Sequence, residues 1–80
     1  MEQQTHSLSS LAKGTKGIVQ AVCSKNRKLC SKLLSMGIVS GTLIEVLAIA
    51  PLRDPIEVLV KGYKLSLRKS EAAGISVLPR

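Results

Sequence analysis

Two short runs late in the chain carry the clearest alternation of apolar and polar positions. In Ile56-Glu57-Val58-Leu59-Val60-Lys61, the residues Ile56, Val58 and Val60 fall on one face and Glu57, Leu59 and Lys61 on the other. After Gly62, Tyr63, Leu65 and Leu67 point one way while Lys64, Ser66 and Arg68 point the other. A period of two is the mark of extended chain with one face on a core. Gly62 accepts the positive φ that a tight reversal needs, so the two runs predict a hairpin. Ahead of them lies the loop Pro51-Leu52-Arg53-Asp54-Pro55. Each of its prolines fixes φ, lacks an N–H and drives its predecessor toward extended backbone, which excludes a helix there.

Upstream the period changes. Leu29, Cys30, Leu33, Leu34 and Met36 recur at i, i+1, i+4, i+5 and i+7, one apolar stripe at helical spacing. Ser24 or Asn26 can cap this helix, and Gly37 suits the left-handed position just past its end. The expected helix runs from about Lys25 to Met36, with Lys25, Lys28 and Lys32 on its opposite face. Before it, Leu8 and Leu11 predict one helical turn tucked onto the core. Ile18 to Val22 follows the Gly14-Thr15-Lys16-Gly17 turn and reads as the first strand. After the helix, Gly41 opens the β-prone run Thr42 to Ala50, with Ile44, Val46 and Ala48 on one face and Leu43, Leu47 and Ile49 on the other. A strand apolar on both faces is either covered twice or bent to serve two sheets, and small barrels need such strands. Ser70 can cap a short turn through Glu71-Ala72-Ala73, and Gly74 releases a last strand, Ile75 to Leu78. The expected architecture is mainly β: a small SH3-like five-stranded barrel with one inserted α-helix. It occupies residues 8–80, behind a loose polar tail of residues 1–7.

Composition narrows the functions open to such a barrel. With 80 residues, 45% hydrophobic and 21% charged, the chain makes one small folded domain rather than a disordered one. There is no Trp or Phe, and Tyr63 is the sole aromatic, so aliphatics do the packing. Little room remains for a deep enclosed pocket. Five scattered acids and one histidine in the tail form no catalytic constellation, and no glycine loop cradles phosphate, so the chain is read as no enzyme. A net charge of +7 draws it toward acidic surfaces, whether nucleic acid, anionic lipid or protein. Single-strand binders stack bases on aromatic rings, and one tyrosine is a poor platform. No apolar run approaches the about 18 residues of a membrane span, and residues 1–12 lack the apolar stretch of a secretory signal. The expected compartment is the cytoplasm. Cys23 and Cys30 are too few for a disulfide scaffold; together with His6 they are the candidate metal ligands, short of the four that a closed zinc site takes.

Several local patterns then fall into a familiar order. They are Leu8-x2-Leu11-x2-Gly14, the helix end Leu33-Leu34-Ser35-Met36-Gly37-Ile38, Gly41, and Ala50-Pro51-Leu52-Arg53-Asp54-Pro55-Ile56. Gly62, Leu65-x-Leu67-Arg68-Lys69 and Glu71-Ala72-x2-Ile75-x-Val77 complete the set. In this order the chain resembles the FeoA family, small cytosolic partners of the bacterial ferrous-iron transporter FeoB, from Leu8 to Val77. Two positions depart from the family pattern: Arg53 stands where Gly is common, and Ser40 where Pro often precedes the Gly. The resemblance implies an SH3-like barrel and an accessory role in ferrous-iron uptake, through contact with the transporter's cytoplasmic region and its G domain. It requires no cofactor and leaves transition-metal (iron) binding open. On that reading Lys28, Lys32, Arg53, Lys64 and Arg68 meet acidic patches of the partner, while Met36 and Leu52 supply apolar anchors. Such cations set encounter rate and orientation, whereas buried apolar groups carry affinity. Arg53, Lys64 and Arg68 are expected in one basic patch, and Arg53 is the single candidate for stabilising phosphoryl-transfer charge in a partner. The barrel is expected to be monomeric or weakly self-associating. The alternative is a small basic β-barrel that binds nucleic acid, which the charge favours and the scarcity of aromatics opposes.

Overall fold

The alternating segments become one antiparallel sheet in the computed structural model, which describes residues 5–22 and 27–80. Its strands are His6–Ser7 (β1), Lys16–Val22 (β2), Leu43–Ile49 (β3), Ile56–Val60 (β4), Tyr63–Leu67 (β5) and Ile75–Pro79 (β6). Helices span Arg27–Ser35 (α1) and Lys69–Ala72 (α2), with 3-10 turns at Leu8–Ser10 and Pro51–Arg53. The strand order is β1-β6-β2-β3-β4-β5, an SH3-like arrangement. The hairpin is in the expected register: Ile56 faces Leu67, Val58 faces Leu65 and Val60 faces Tyr63. Lys61 and Gly62 both turn with positive φ, 52° and 82°, as a two-residue reversal matched to strand twist demands.

A sixth strand is the first departure from the sequence reading. His6 pairs with Val77 and Ser7 with Ser76, so the expected loose segment of residues 1–7 ends inside the sheet. Polar residues can do this because the ladder bonds are made by backbone. Ser7 also starts the following turn: its Oγ accepts the Ser9 N–H at 3.3 Å, and its carbonyl accepts from Ser10 Oγ at 2.8 Å.

The apolar-on-both-faces strand, β3, proves to be bent. Val46 pairs with Val58, but Ala48 pairs with Glu57, which leaves Leu47 as an extra residue. This bulge reverses the side-chain phase: Ile44 and Val46 are buried, Ala48 is exposed, and Ile49 turns back onto the core. The expected face of Ile44, Val46 and Ala48 therefore breaks at its third member. A second bulge, between Val19 and Ala21, bends β2 against β6. Together the bends fold the sheet around Leu8, Val19, Leu33, Ile38, Ile44, Val46, Ile56, Val58, Val60, Leu67, Ile75 and Val77, each at most 1% exposed. The neighbouring strands β2 and β6 approach closely at Gly17, where a Cβ would overlap Val77 Cγ1 and come within 2.8 Å of the Leu78 carbonyl.

Helix α1 closes one end of this core through fewer residues than the stripe contains. Leu33 is fully buried and Leu29 and Met36 pack beside it, at i, i+4 and i+7, but Leu34 is 50% exposed. A single residue step along the helix rotates Leu34 about 100° from Leu33, beyond the narrow strip that a small sheet can cover. The proposed caps Ser24 and Asn26, and Lys25 on the opposite face, lie outside the described residues. The helix stop is as expected. Gly37, at φ 88°, donates to the Leu34 carbonyl at 3.0 Å, and Ile38 donates to Leu33 at 3.1 Å, with both Ile38 and Leu33 buried. At α2 the cap is Arg68 rather than Ser70. Its backbone N–H is accepted by Glu71 Oε1 at 2.8 Å, and the next N–H, of Lys69, by Asp54 Oδ1 at 3.1 Å.

A β-branched residue at the left-handed stop meets steric resistance that its surroundings do not add to, since a Cβ on Gly37 would come no closer than 3.5 Å to Lys61. Gly37→Val is expected to lower unfolding free energy by about 1–2 kcal/mol in urea melts. Ser40→Ala, at an exposed position, should stay within about 0.5 kcal/mol of the parent. Equal small effects would mean that the stop does not depend on the left-handed glycine.

Candidate functional site

The loop 51–55 gathers the features that composition pointed to, in a different arrangement. Pro51 sets the entry, and Leu52 and Arg53 then both adopt left-handed backbone, at φ 64° and 60°. For non-glycine residues this conformation costs roughly 1–2 kcal/mol each and persists only where something holds it. The Arg53 side chain is what holds it. Its guanidinium donates from Nε and a terminal nitrogen to the Ser9 carbonyl, at 3.1 and 2.9 Å, and from that nitrogen to the Leu11 carbonyl at 2.7 Å. These carbonyls belong to the end of the turn that follows β1, so Arg53 fastens the loop to that turn. Leu52, next to it, is left 93% exposed.

This corrects the reading of Arg53 as an outward cation. It is half-buried and committed to backbone carbonyls, so it neither joins Lys64 and Arg68 in a basic patch nor stands free to reach a phosphoryl group. The left-handed backbone also gives a physical reason for the glycine that the family resemblance leads one to expect at this position. Glycine removes the steric cost, whereas arginine keeps it and offsets it with hydrogen bonds.

Lys32 is engaged as well. Its ammonium lies 2.7 Å from Glu71 Oε2, while Glu71 Oε1 holds the Arg68 N–H. Glu71 is buried, and its carboxyl is held below the usual carboxylate range. The Lys32 hydrogen bond is the main cause, the Arg68 N–H the next, with burial opposing both. One carboxylate thus joins α1 to the start of α2. Around it lies a recess of about 380 Å³ lined by Lys32, Asp54, Pro55, Ser66, Arg68 and Glu71. The structure brings Lys32 and Arg68 to this one recess, and β5 leads Lys64 along the sheet edge toward it. Lys64 and Arg68 are exposed, and neither is ion-paired among the described residues. Lys28 is exposed on α1. Met36 packs against the core and so serves the helix rather than a surface.

Glu71 and Asp54 were not singled out from sequence, although a glutamate three residues after a helix start is a recognisable signal at Arg68 and Glu71. A second recess, of about 500 Å³, also went unforeseen; it opens on the outer sheet face between Leu43, Glu45, Leu59 and Lys61. Of the candidate metal ligands, Cys23 lies outside the described residues, His6 sits in β1 and Cys30 lies on α1. Among the described residues no three His, Cys, Asp or Glu side chains gather as a metal-binding group. No described helix is long and apolar enough to cross a membrane.

Comparison with known proteins places these features. The sequence profile of the FeoA domain matches residues 6–79. A fused Fe(2+) transport protein A/Fe(2+) transporter FeoB of Porphyromonas gingivalis is 39% identical over 72 residues, covering 88% of this chain and 8% of that protein. The chain therefore spans under a tenth of that relative. A FeoA-like protein from Clostridium acetobutylicum shares the fold at a TM-score of 0.84 and 39% identity, over 96% of this chain and 87% of that one. A zinc-complexed FeoA from Stenotrophomonas maltophilia matches at a TM-score of 0.79 and 30% identity, over 92% and 88%. That protein is described as a prokaryotic SH3-domain protein with a suggested role as a ferrous-iron-transport activating factor.

Two measurements check the internal bonds. Arg53→Ala strands two carbonyl oxygens while retaining the backbone strain, and should cost about 1–3 kcal/mol in urea melts; Arg53→Gly should cost less. An arginine that is merely solvated would leave Arg53→Ala at the parent value. For Glu71, a lowered folded pKa means that its stabilising effect is complete above the ordinary carboxyl value of about 4.3 and is lost as pH falls through the folded value. Stability measured from pH 7 to pH 3 should fall on that acid limb, and Lys32→Met should flatten it. An unchanged slope in Lys32→Met would show that the ion pair does not set the Glu71 titration.

Proposed function

The chain belongs to the FeoA domain family, and from that premise we propose that it is an accessory, non-catalytic module of bacterial ferrous-iron transport that docks on the cytoplasmic part of FeoB. The observation that carries this reading is the relative in which the same domain and FeoB form a single polypeptide. Joining two modules in one chain raises their effective concentration, which serves a pair that acts in contact. The exposed groups fit such a contact. Leu52 projects from a loop that Arg53 immobilises, so an apolar anchor is presented with little ordering left to do on binding. Lys64 and Arg68 add an exposed positive margin suited to steering toward an acidic surface. Iron is the partner's cargo in this reading, and no cofactor is called on.

The test is binding of the full chain to the purified cytoplasmic region of FeoB. Reversing Lys64 and Arg68 to Glu together should weaken binding several-fold at low salt and leave the thermal melt intact, with a smaller loss as ionic strength rises. Leu52→Ala should weaken binding at every salt concentration. Unaltered affinity in both variants would remove this face from the contact, and no binding of the parent protein would remove the reading itself.

A further inference from the structure

The two ends of the sheet are unlike. At one end β1 offers only two residues of backbone, whereas at the other β5 runs for five and is bordered by β4 alone. Which β5 groups lie open follows from the hairpin. The two-residue turn makes Val60 and Tyr63 exchange both ladder bonds, and this recurs at every second pair, Val58 with Leu65 and Ile56 with Leu67. The N–H and C=O groups of Lys64 and Ser66 therefore point away from β4. Among the described residues no backbone hydrogen bond outside the ladders reaches residues 63–67. The side chains of both residues are exposed, and Tyr63, at the strand's start, is 71% exposed. At its other end the edge runs into the recess lined by Ser66, Arg68 and Pro55 together with Lys32, Asp54 and Glu71, where the Glu71 carboxylate is already paired with Lys32.

We propose that β5 is an acceptor edge, which takes an extended acidic segment of the partner protein as an added strand. This rests on the docking reading above and names the contact within it. Strand addition supplies affinity through main-chain bonds, and side chains of the edge select the guest. Here the charge pattern selects. Lys64 is the second residue of the edge and Arg68 lies just past its end, on a chain of net charge +7. A second copy laid on β5 would bring these cations against their own kind, and like charges across a strand pair oppose pairing. An acidic strand meets the opposite condition: its carboxylates reach Lys64 on the ladder and Arg68 at the recess. Leu52, projecting from the loop that borders the same recess, then contacts whatever flanks the added strand.

Amide exchange, followed by NMR on the full chain with and without the purified cytoplasmic region of FeoB, reads this directly. At saturating partner the Lys64 and Ser66 amides should exchange at least about tenfold more slowly, while those of Leu65 and Leu67, already in the ladder, change little. Ser66→Pro removes one outward N–H at a position where an edge strand admits proline, and should bind at least about tenfold more weakly than Ser66→Ala. Binding with Lys64 and Ser66 exchanging at their free rates overturns the edge contact and leaves the docking reading standing. Absence of binding by the unsubstituted chain overturns both. If Ser66→Pro does not fold, the exchange rates of the unsubstituted protein decide.

Discussion

Filling a core with aliphatic side chains alone sets the terms for this fold. Leucine, isoleucine and valine lack the reach of the aromatic rings that commonly bridge two layers, so the layers have to come closer together. One flat sheet cannot enclose itself, and the bulges at Gln20 and Leu47 supply the bends that let six strands surround the buried residues. The pairing of β2 with β6 has its own requirement at Gly17, where Val77 and the Leu78 backbone of the neighbouring strand occupy the space a side chain would need. The helix follows from the same geometry. It covers the open end of a narrow core, and so commits Leu33 fully while Leu34 remains half outside.

The cations divide into those that build the fold and those that face outward. Arg53 and Lys32 look from sequence like parts of the same positive surface as Lys64 and Arg68. Each is tied to an oxygen that the fold leaves in need of a donor: the Ser9 and Leu11 carbonyls in one case and the Glu71 carboxylate in the other. Exposed cations lie on several elements, and among them Lys64 and Arg68 mark a sheet edge with a leucine held out beside it.

The parts of the fold legible in the sequence were those decided by local pattern. The β4–β5 alternation fixed the hairpin and its register, Gly37 marked the helix stop, and the doubled apolar faces of β3 announced a bend without locating it at Leu47. What escaped were features set by distant partners. β1 exists because Val77 and Ser76 lie beside His6 and Ser7, and nothing in a polar tail reveals that. The inward turn of Arg53 depends on carbonyls more than 40 residues away. Position 53 carried a hint all the same, since an arginine where glycine is common asks what relieves the backbone.

The brevity of β1 has a consequence for how far any assembly can grow. Chains that pair edge to edge propagate when each molecule offers two complementary edges, and open-ended fibres follow. Here one edge of the sheet ends after two residues, too short to receive a strand of useful length. Among the described residues β5 is the long edge, so under the proposed strand addition a guest seated there would leave no second edge of similar length on which growth could continue.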